Sequence, residues 1–388
     1  MFRSVLAMLA LVCVILPVSA SAESMKLYPV PTGGFALKLP SSWVDVGSLG
    51  AARLKQLEKV PTFKAFVQQA SQNAALRLAA IDPAAKGNVY MDAGAVRVGS
   101  VSGTEVVAQT IAALKKSLGK KVSAVSTPVK LAAGTGYLLH LSEKGLPNET
   151  DEYLFVHDQI EYGIIYVAPR AMWPKYGPLF AASARSFQLL PAPNLSHVVL
   201  SGSQVGSGYK VAAYPFGNSI IGEATLDLCG ASYPSEVLRT GRLQVRYTHS
   251  GAGVTVSNEV VTYVPGGAAV AMNEVTAVAK ACAKKPAVLK QGGITETYKV
   301  ALLKGAHVPQ GAIAVRIQIV VTKGKKHTSQ TGVAVYQVHG NTLSGLYTFV
   351  AKGTTFADAE KVGLHAAEQS AKNLGVKAHK SSGGGFTA

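Results

Sequence analysis

Hydrophobic and polar residues alternate with a period of two in many short stretches of this chain, and with a helical period in a few longer ones. Phe35-Ala36-Leu37-Lys38-Leu39 alternates as a strand and stops at Pro40. Residues 50–80 read as a helical region interrupted at Pro61, with Leu54, Leu57, Phe63, Phe66 and Val67 spaced for one face of each piece. Residues 89–98 read as a strand, and 105–118 as an amphipathic helix ending at Gly119. Four strands follow in quick succession at 122–129, 136–141, 152–156 and 161–167, and a helix over 172–186 closes the set. Beyond Leu190-Pro191-Ala192-Pro193-Asn194, a proline-punctuated linker, the pattern resumes. Strands at 243–247 and 254–263 are joined through Ser250-Gly251-Ala252-Gly253, and Pro265-Gly266-Gly267 opens a helix that runs to Cys282. Strands at 297–303, 313–321, 332–338 and 343–350 come next, the last pair turning at Gly340-Asn341, before a helix over 356–374.

Both halves therefore read strands, helix, four consecutive strands, helix. This is a weak internal repeat of element order without residue identity. Runs of antiparallel strands with helices before and after predict an α+β chain of two tandem domains, each a curved antiparallel sheet packed against long helices. The expected boundaries are 23–191 and 192–375. The tail 376–388, which contains Ser381-Ser382-Gly383-Gly384-Gly385, is expected to be disordered.

Residues 1–22 stand apart. Arg3 precedes an apolar run from Val5 to Val18, and Ser19-Ala20-Ser21-Ala22 precedes Glu23, the form of a secretory leader cut after Ala22. The run falls short of the about 20 apolar residues a membrane span needs, so the alternative is an uncleaved anchor. Val12 before Cys13 does not fit a lipoprotein site. An exported chain keeps two of its three cysteines, Cys229 and Cys282, a natural disulfide in an oxidising compartment; two buried thiols are the other option. Losing Arg3 lowers the formal charge only from +17 to +16. With 48% apolar and 15% charged residues, a mainly disordered chain is excluded.

Residues 33–43, Gly-Gly-Phe-Ala-Leu-Lys-Leu-Pro-Ser-Ser-Trp, resemble the opening strand of the PsbP-like fold, and a helix running into Ser186-Phe187 matches its exit. The resemblance covers about residues 26–190 and implies a binding or assembly module more than a catalyst. The second half is similar to actinobacterial extracytoplasmic sensor domains of the PknH kinase type. The residues concerned are Leu226-Asp227-Leu228-Cys229-Gly230, Tyr233-Pro234-Ser235-Glu236, Arg239, Arg242 and Ser257-Asn258-Glu259-Val260-Val261. That resemblance also implies the Cys229–Cys282 pairing and a groove in an exported module. The chain departs from the kinases in having no kinase domain, no stalk and no second disulfide.

The usual chemical motifs are missing. Gly202-Ser203-Gln204-Val205-Gly206 fails the nucleophile-elbow spacing, Gly206-Ser207-Gly208-Tyr209-Lys210 is not a P-loop, and the nine histidines form no His-Glu-x-x-His. No metal, cofactor or catalytic residue is therefore expected. His157-Asp158 reads as a solvated hairpin turn, and Gly266-Gly267 as a tight entry to a helix. Glu236 and Arg239, three apart, suit an ion pair. With Arg242, Asn258, Glu259 and Tyr263, they either buttress the disulfide-linked turn or wall a groove for an acidic ligand. Residues 23–191 carry 18 Lys+Arg and 12 Asp+Glu, and residues 192–388 carry 19 and 9. Lys323, Lys325 and Lys326 mark a basic hairpin tip suited to anionic lipid or cell-wall polymer, whereas interleaved aromatics for nucleic acid are absent. The reading is a secreted, non-enzymatic envelope protein that binds a small ligand or partner in the second domain or between domains. The alternatives are an accessory module docked on another envelope protein and a hydrolase with a dispersed site.

Overall fold

The computed structural model describes residues 23–376, except 49–54, 56–58, 60–63, 65–74, 86–87, 119–121, 144–146, 252, 304–308 and 310. The expected leader, most of the expected 50–80 helix and nearly all of the expected disordered tail lie outside the described residues. Among these residues the first half holds β1 (Met25–Val30), β2 (Phe35–Pro40), β3 (Val44–Asp45), β4 (Leu76–Ile81) and β5 (Tyr90–Arg97). Helix α1 (Gly103–Leu118) leads to β6 (Val122–Leu131), β7 (Gly134–Glu143), β8 (Asn148–His157) and β9 (Ile160–Pro169), followed by α2 (Trp173–Arg185) and β10 (Gln188–Leu189). The second half holds α3 (Gly202–Val205), β11 (Tyr209–Ala213), β12 (Arg239–His249), β13 (Thr255–Tyr263) and α4 (Gly267–Lys284). It ends with β14 (Ala287–Gln291), β15 (Ile294–Leu302), β16 (Ile313–Lys323), β17 (Lys326–His339), β18 (Thr342–Phe349) and α5 (Phe356–Asn373).

The chain is α+β with large antiparallel sheets. A seven-stranded sheet has the order β3-β4-β5-β9-β8-β7-β6, and an eight-stranded one β11-β12-β13-β18-β17-β16-β15-β14. In each, a helix carries the chain from the second strand of a hairpin to the far edge, and a meander returns so that its last strand pairs with that second strand, β5 with β9 and β13 with β18. The repeat seen in element order is thus a repeat of topology.

Three sequence expectations need correction. The first half carries two sheets instead of one, because β1, β2 and β10 form a separate three-stranded sheet. The helices other than the short α3 run 13 to 18 residues, an ordinary length. The end of the expected 50–80 helix is strand β4, since Leu78 to Ile81 pair with β5 and bury their side chains. There, pairing within the sheet overrides the helix preference of alanine. Strands β1, β11 and β14 were also hidden in sequence; β1 and β11 mark open edges, where alternation between two environments is weak.

The alternation in β8 and β9 places Tyr153, Phe155, Tyr162, Ile164 and Tyr166 on one face, where they meet Phe35 of β2, Phe180 of α2 and Phe187 just before β10. On the other face, Leu139 and Leu154 pack under Val106 and Val107 of α1. In the second half, α5 covers one cluster with Ala359, Ala366 and Ala367, and α4 covers a second with Ala271, Val275 and Ala279. Small residues at these positions let both helices approach the sheet closely. The Cys229–Cys282 disulfide is formed, with a Cα–Cα distance of 6.6 Å, and ties the turn at Leu228–Gly230 to the last turns of α4. Its separation of 53 residues corresponds to about 4 kcal/mol of restricted unfolded-chain entropy. Replacing both cysteines by serine is expected to lower the unfolding free energy by about 2–4 kcal/mol in urea titrations.

Candidate functional site

Sequence singled out Arg239 and Arg242, and both are buried. Burial lowers the Arg239 guanidinium from its ordinary value, and a buried guanidinium needs an acceptor for each N–H. Arg239 donates from Nε to the Glu236 carbonyl at 2.9 Å, from Nη1 to the Glu223 carbonyl at 2.7 Å and Thr225 Oγ1 at 2.8 Å, and from Nη2 to the Ile220 carbonyl at 2.9 Å. The expected ion pair is present, with Glu236 Oε2 at 3.1 Å from Nη2. The Glu236 carboxylate also accepts the N–H groups of Thr225 and Leu226 at 3.0 and 3.1 Å. Arg242 pairs with the Glu259 carboxylate and donates from Nη1 to the Phe216 carbonyl at 3.0 Å and from Nη2 to Gln244 at 2.5 Å. Burial pushes the Glu259 carboxyl up, against the pull of Arg242. The two arginines thereby hold residues 216–226 in one conformation.

Asn258 is buried and accepts the Leu200 N–H at 3.0 Å while donating to Ser344 at 3.0 Å. Tyr263 is buried against Gly267 and α4, and its hydroxyl reaches no partner. Of the residues singled out, Glu236, Arg239, Arg242 and Glu259 form one network, joined through Thr225. Tyr263 stands opposite Arg239 in the β12–β13 ladder without a hydrogen bond from its hydroxyl, and Asn258 is bonded elsewhere. Lys323, Lys325 and Lys326 lie exposed at the β16–β17 turn, where Lys323 is paired with Lys326.

Residues 216–221 contribute one wall of a cavity of about 600 Å³ between the two halves. The first half contributes Arg97 at the end of β5 and His157, Asp158 and Gln159 at the β8–β9 turn, and the linker adds Leu189 to Pro193. Asp158 and Gln159 sit at φ 48° and 65°, the left-handed pair that a two-residue hairpin requires. The turn expected at His157-Asp158 is therefore present, with Asp158 85% exposed, and it also borders the cavity. The linker is anchored: Leu190 donates to the Gly34 carbonyl at 2.9 Å, and the Pro193 ring lies where a Cβ on Gly241 would stand, 2.6 Å from it.

Arg97 bridges the halves. Its guanidinium lies over the Phe216 ring, 4.2 Å from the centroid, and Nη2 donates to the Ile221 carbonyl at 3.1 Å. Glu223 Oε1 stands 3.5 Å from Nε. Gly222, at φ 74°, permits this approach, since a Cβ there would stand 2.5 Å from Arg97 Cβ. Ile221 itself is part of the first half's buried cluster. The sequence reading named some of these residues, the His157-Asp158 turn and the Leu190–Pro193 linker among them, but none as a site residue; Arg97 and residues 216–221 were not named at all.

Other clusters do different work. A smaller cavity of about 250 Å³ touches Asp227, Gln244, Glu259, Tyr298 and Tyr347, with Tyr347 donating to Asp227 at 2.7 Å. His140 has Nδ1 at 2.7 Å from Asp151 and Nε2 at 3.5 Å from Glu149, so both ring nitrogens face carboxylates and neither faces a serine. Among the described residues no group of three His, Cys, Asp or Glu side chains is placed to hold a metal ion. On the sheet face under α1, burial pushes Asp92 up to about 6 and Glu152 up to about 7, the latter helped by the charges of Glu161 and Asp92.

Replacing Arg239 by Met leaves the carbonyls of residues 220, 223 and 236 without their donor. Stability is expected to fall by about 3 kcal/mol, and proteolysis should nick 216–226 first; lysine, with one point charge, should not restore either property. The raised carboxyls predict a pH dependence. The folded state binds more protons than the unfolded chain between pH 4 and 7, so stability falls as pH rises through that window. In Glu152→Gln the urea midpoint is expected to fall less steeply between pH 4.5 and 8.

No protein-family model and no curated protein matches the chain. Among solved structures, it is similar to cyanobacterial PsbP (CyanoP) from Synechocystis sp. PCC 6803 at 11% identity and a TM-score of 0.31, covering 44% of this chain and 95% of that one. It is similar to the extracellular domain of PknH from Mycobacterium tuberculosis at 14% identity and a TM-score of 0.30, covering 46% and 94%. The Ran-binding protein Mog1p from Saccharomyces cerevisiae matches at 9% identity and a TM-score of 0.31, covering 44% and 97%. The two folds that the sequence resembles, PsbP-like and the PknH sensor type, are both among these neighbours, at low scores.

Proposed function

We propose that this chain is a secreted, non-enzymatic binding protein of an actinobacterial-type cell envelope, built as two domains, that holds a small ligand in the cavity between its halves. The observation that carries the reading is the cavity itself. Its volume of about 600 Å³ falls within the about 300–1,000 Å³ typical of small-molecule sites, and apolar walls with a few convergent polar groups are the usual composition. Ile160, Phe216, Ile220 and the linker prolines supply the apolar part; Arg97, Gln159 and Asn218 supply the polar part. A formed disulfide, and the lack of any helix among the described residues long and apolar enough to cross a membrane, fit an extracytoplasmic setting. In this reading Arg239 and Arg242 are positioning residues for the cavity wall and do not meet the ligand themselves.

A second reading, docking onto another envelope protein, has one observation in its favour. The edge strand β11 and the residues after it expose Val211, Tyr214 and Phe216 at 48, 42 and 43%. The exposed tip at Lys323, Lys325 and Lys326 suits a peripheral contact with anionic lipid or cell-wall polymer under either reading.

Native mass spectrometry of the secreted protein and of Asn218→Trp, whose indole would fill the cavity, separates the two. A small molecule that accompanies the parent protein and is lost in the variant supports the cavity reading. A protein companion retained by the variant supports docking instead, and a bare chain in both samples counts against each. For the basic tip, charge reversal at the three lysines is expected to abolish salt-sensitive binding to anionic vesicles.

A further inference from the structure

The cavity contains a cation whose hydrogen bonds are incompletely met. Arg97 Nη1 and Nε are shielded from water and have no hydrogen-bond acceptor. Nη2 alone is satisfied, by the Ile221 carbonyl. Glu223 is near enough to Nε for electrostatic attraction at 3.5 Å but makes no hydrogen bond, and its side chain is 28% exposed. This is unlike Arg239 and Arg242, whose donors are met by protein acceptors, the Ile220 and Phe216 carbonyls of the cavity wall among them. A charged donor left without an acceptor is costly, so an oxygen acceptor arriving at Arg97 gains what the protein does not supply.

We propose, resting on the cavity reading above, that the ligand is an amphipathic monoanionic acid. Its oxyanion meets the Arg97 guanidinium and its apolar body lies along Phe216, Ile160, Ile220 and the Pro191–Pro193 linker. The oxyanion displaces Glu223, which turns toward solvent. Three features favour this class over a neutral or cationic ligand. The guanidinium is fixed by Phe216, Gly222 and the Ile221 carbonyl, so little rotamer entropy is lost on binding. The chain without its expected leader carries a formal charge of +16, which draws anions from a distance. The second carboxylate at the cavity, Asp158, is 85% exposed and its repulsion is screened.

The probes are 8-anilinonaphthalene-1-sulfonate and its uncharged counterpart N-phenyl-1-naphthylamine, titrated by fluorescence against the full secreted protein. The parent protein is expected to bind the sulfonate about tenfold or more tighter than the neutral probe. Arg97→Met should remove that preference, weakening sulfonate binding by about tenfold more than neutral binding. Because Arg97→Met also cuts the link to Ile221, Glu223→Gln provides a second arm that leaves the guanidinium in place. It is expected to strengthen sulfonate binding several-fold and leave neutral binding alone. Equal binding of the two probes, abolished by Asn218→Trp and indifferent to Arg97→Met and Glu223→Gln, overturns the acid ligand and leaves the cavity reading standing. Binding of either probe that Asn218→Trp does not touch removes both.

Discussion

Taking a guanidinium out of water costs several kcal/mol unless its N–H groups find acceptors. In the second half that constraint falls on Arg239 and Arg242, at the start of β12. The neighbouring strand β13 supplies one acceptor, the Glu259 carboxylate, but not the rest, because its carbonyls are already used in the sheet ladder. The segment 216–226, which has no regular structure of its own for most of its length, supplies them instead. Irregular backbone with free carbonyls and buried cations with free donors complete each other. The conformation of the loop follows from the burial of the arginines, and the cavity wall follows from the loop.

The same loop then joins the halves. Ile220 and Ile221 pack against the first half's core, while Phe216 and the Ile221 carbonyl receive Arg97. An arginine from one half thus lies on a segment held by arginines of the other. The three differ in how fully their donors are used, and that difference separates structural support from available binding capacity. Where every donor is matched, an added ligand gains nothing; where donors are left over in an apolar cleft, an acceptor gains a great deal. The Glu236 carboxylate, bound by two backbone N–H groups and Arg239, belongs to the first kind.

The two halves reach similar sheets through unrelated residues. Each buries one face under the helix that follows the hairpin, and each closes by pairing the last meander strand with the second hairpin strand. The first half adds the small sheet β1-β2-β10, whose last strand runs directly into the linker. Pairing of Leu189 with Phe35 and the hydrogen bond from Leu190 to Gly34 fix the direction in which the chain leaves. The linker prolines then enter the cavity lining as rigid apolar surface, and not as a loose tether.

Period-two and helical patterns, set by backbone geometry and burial, made nearly every central strand and the main helices legible in the sequence. The two cysteines beyond the expected leader, Cys229 and Cys282, allowed one intramolecular disulfide, and the spacing of Glu236 and Arg239 allowed their ion pair. Edge strands such as β1 and β11 were not legible, because one side of an edge faces solvent and alternation fades. Strand β4 was misread because alanine favours a helix only until a neighbouring strand offers a full ladder. Four of the polar residues named from sequence, Glu236, Arg239, Arg242 and Glu259, are members of one network, but only the tertiary structure could decide that Arg239 and Arg242 face inward. The sequence reading expected a groove in the second domain or between domains, but the residues that line the cavity were beyond it for a simpler reason: Arg97, the His157–Gln159 turn, the linker and residues 216–221 are far apart along the chain. No local pattern records a surface that exists only after two halves have packed, and their contact is set by side-chain shape and unmatched donors, which have no period to read.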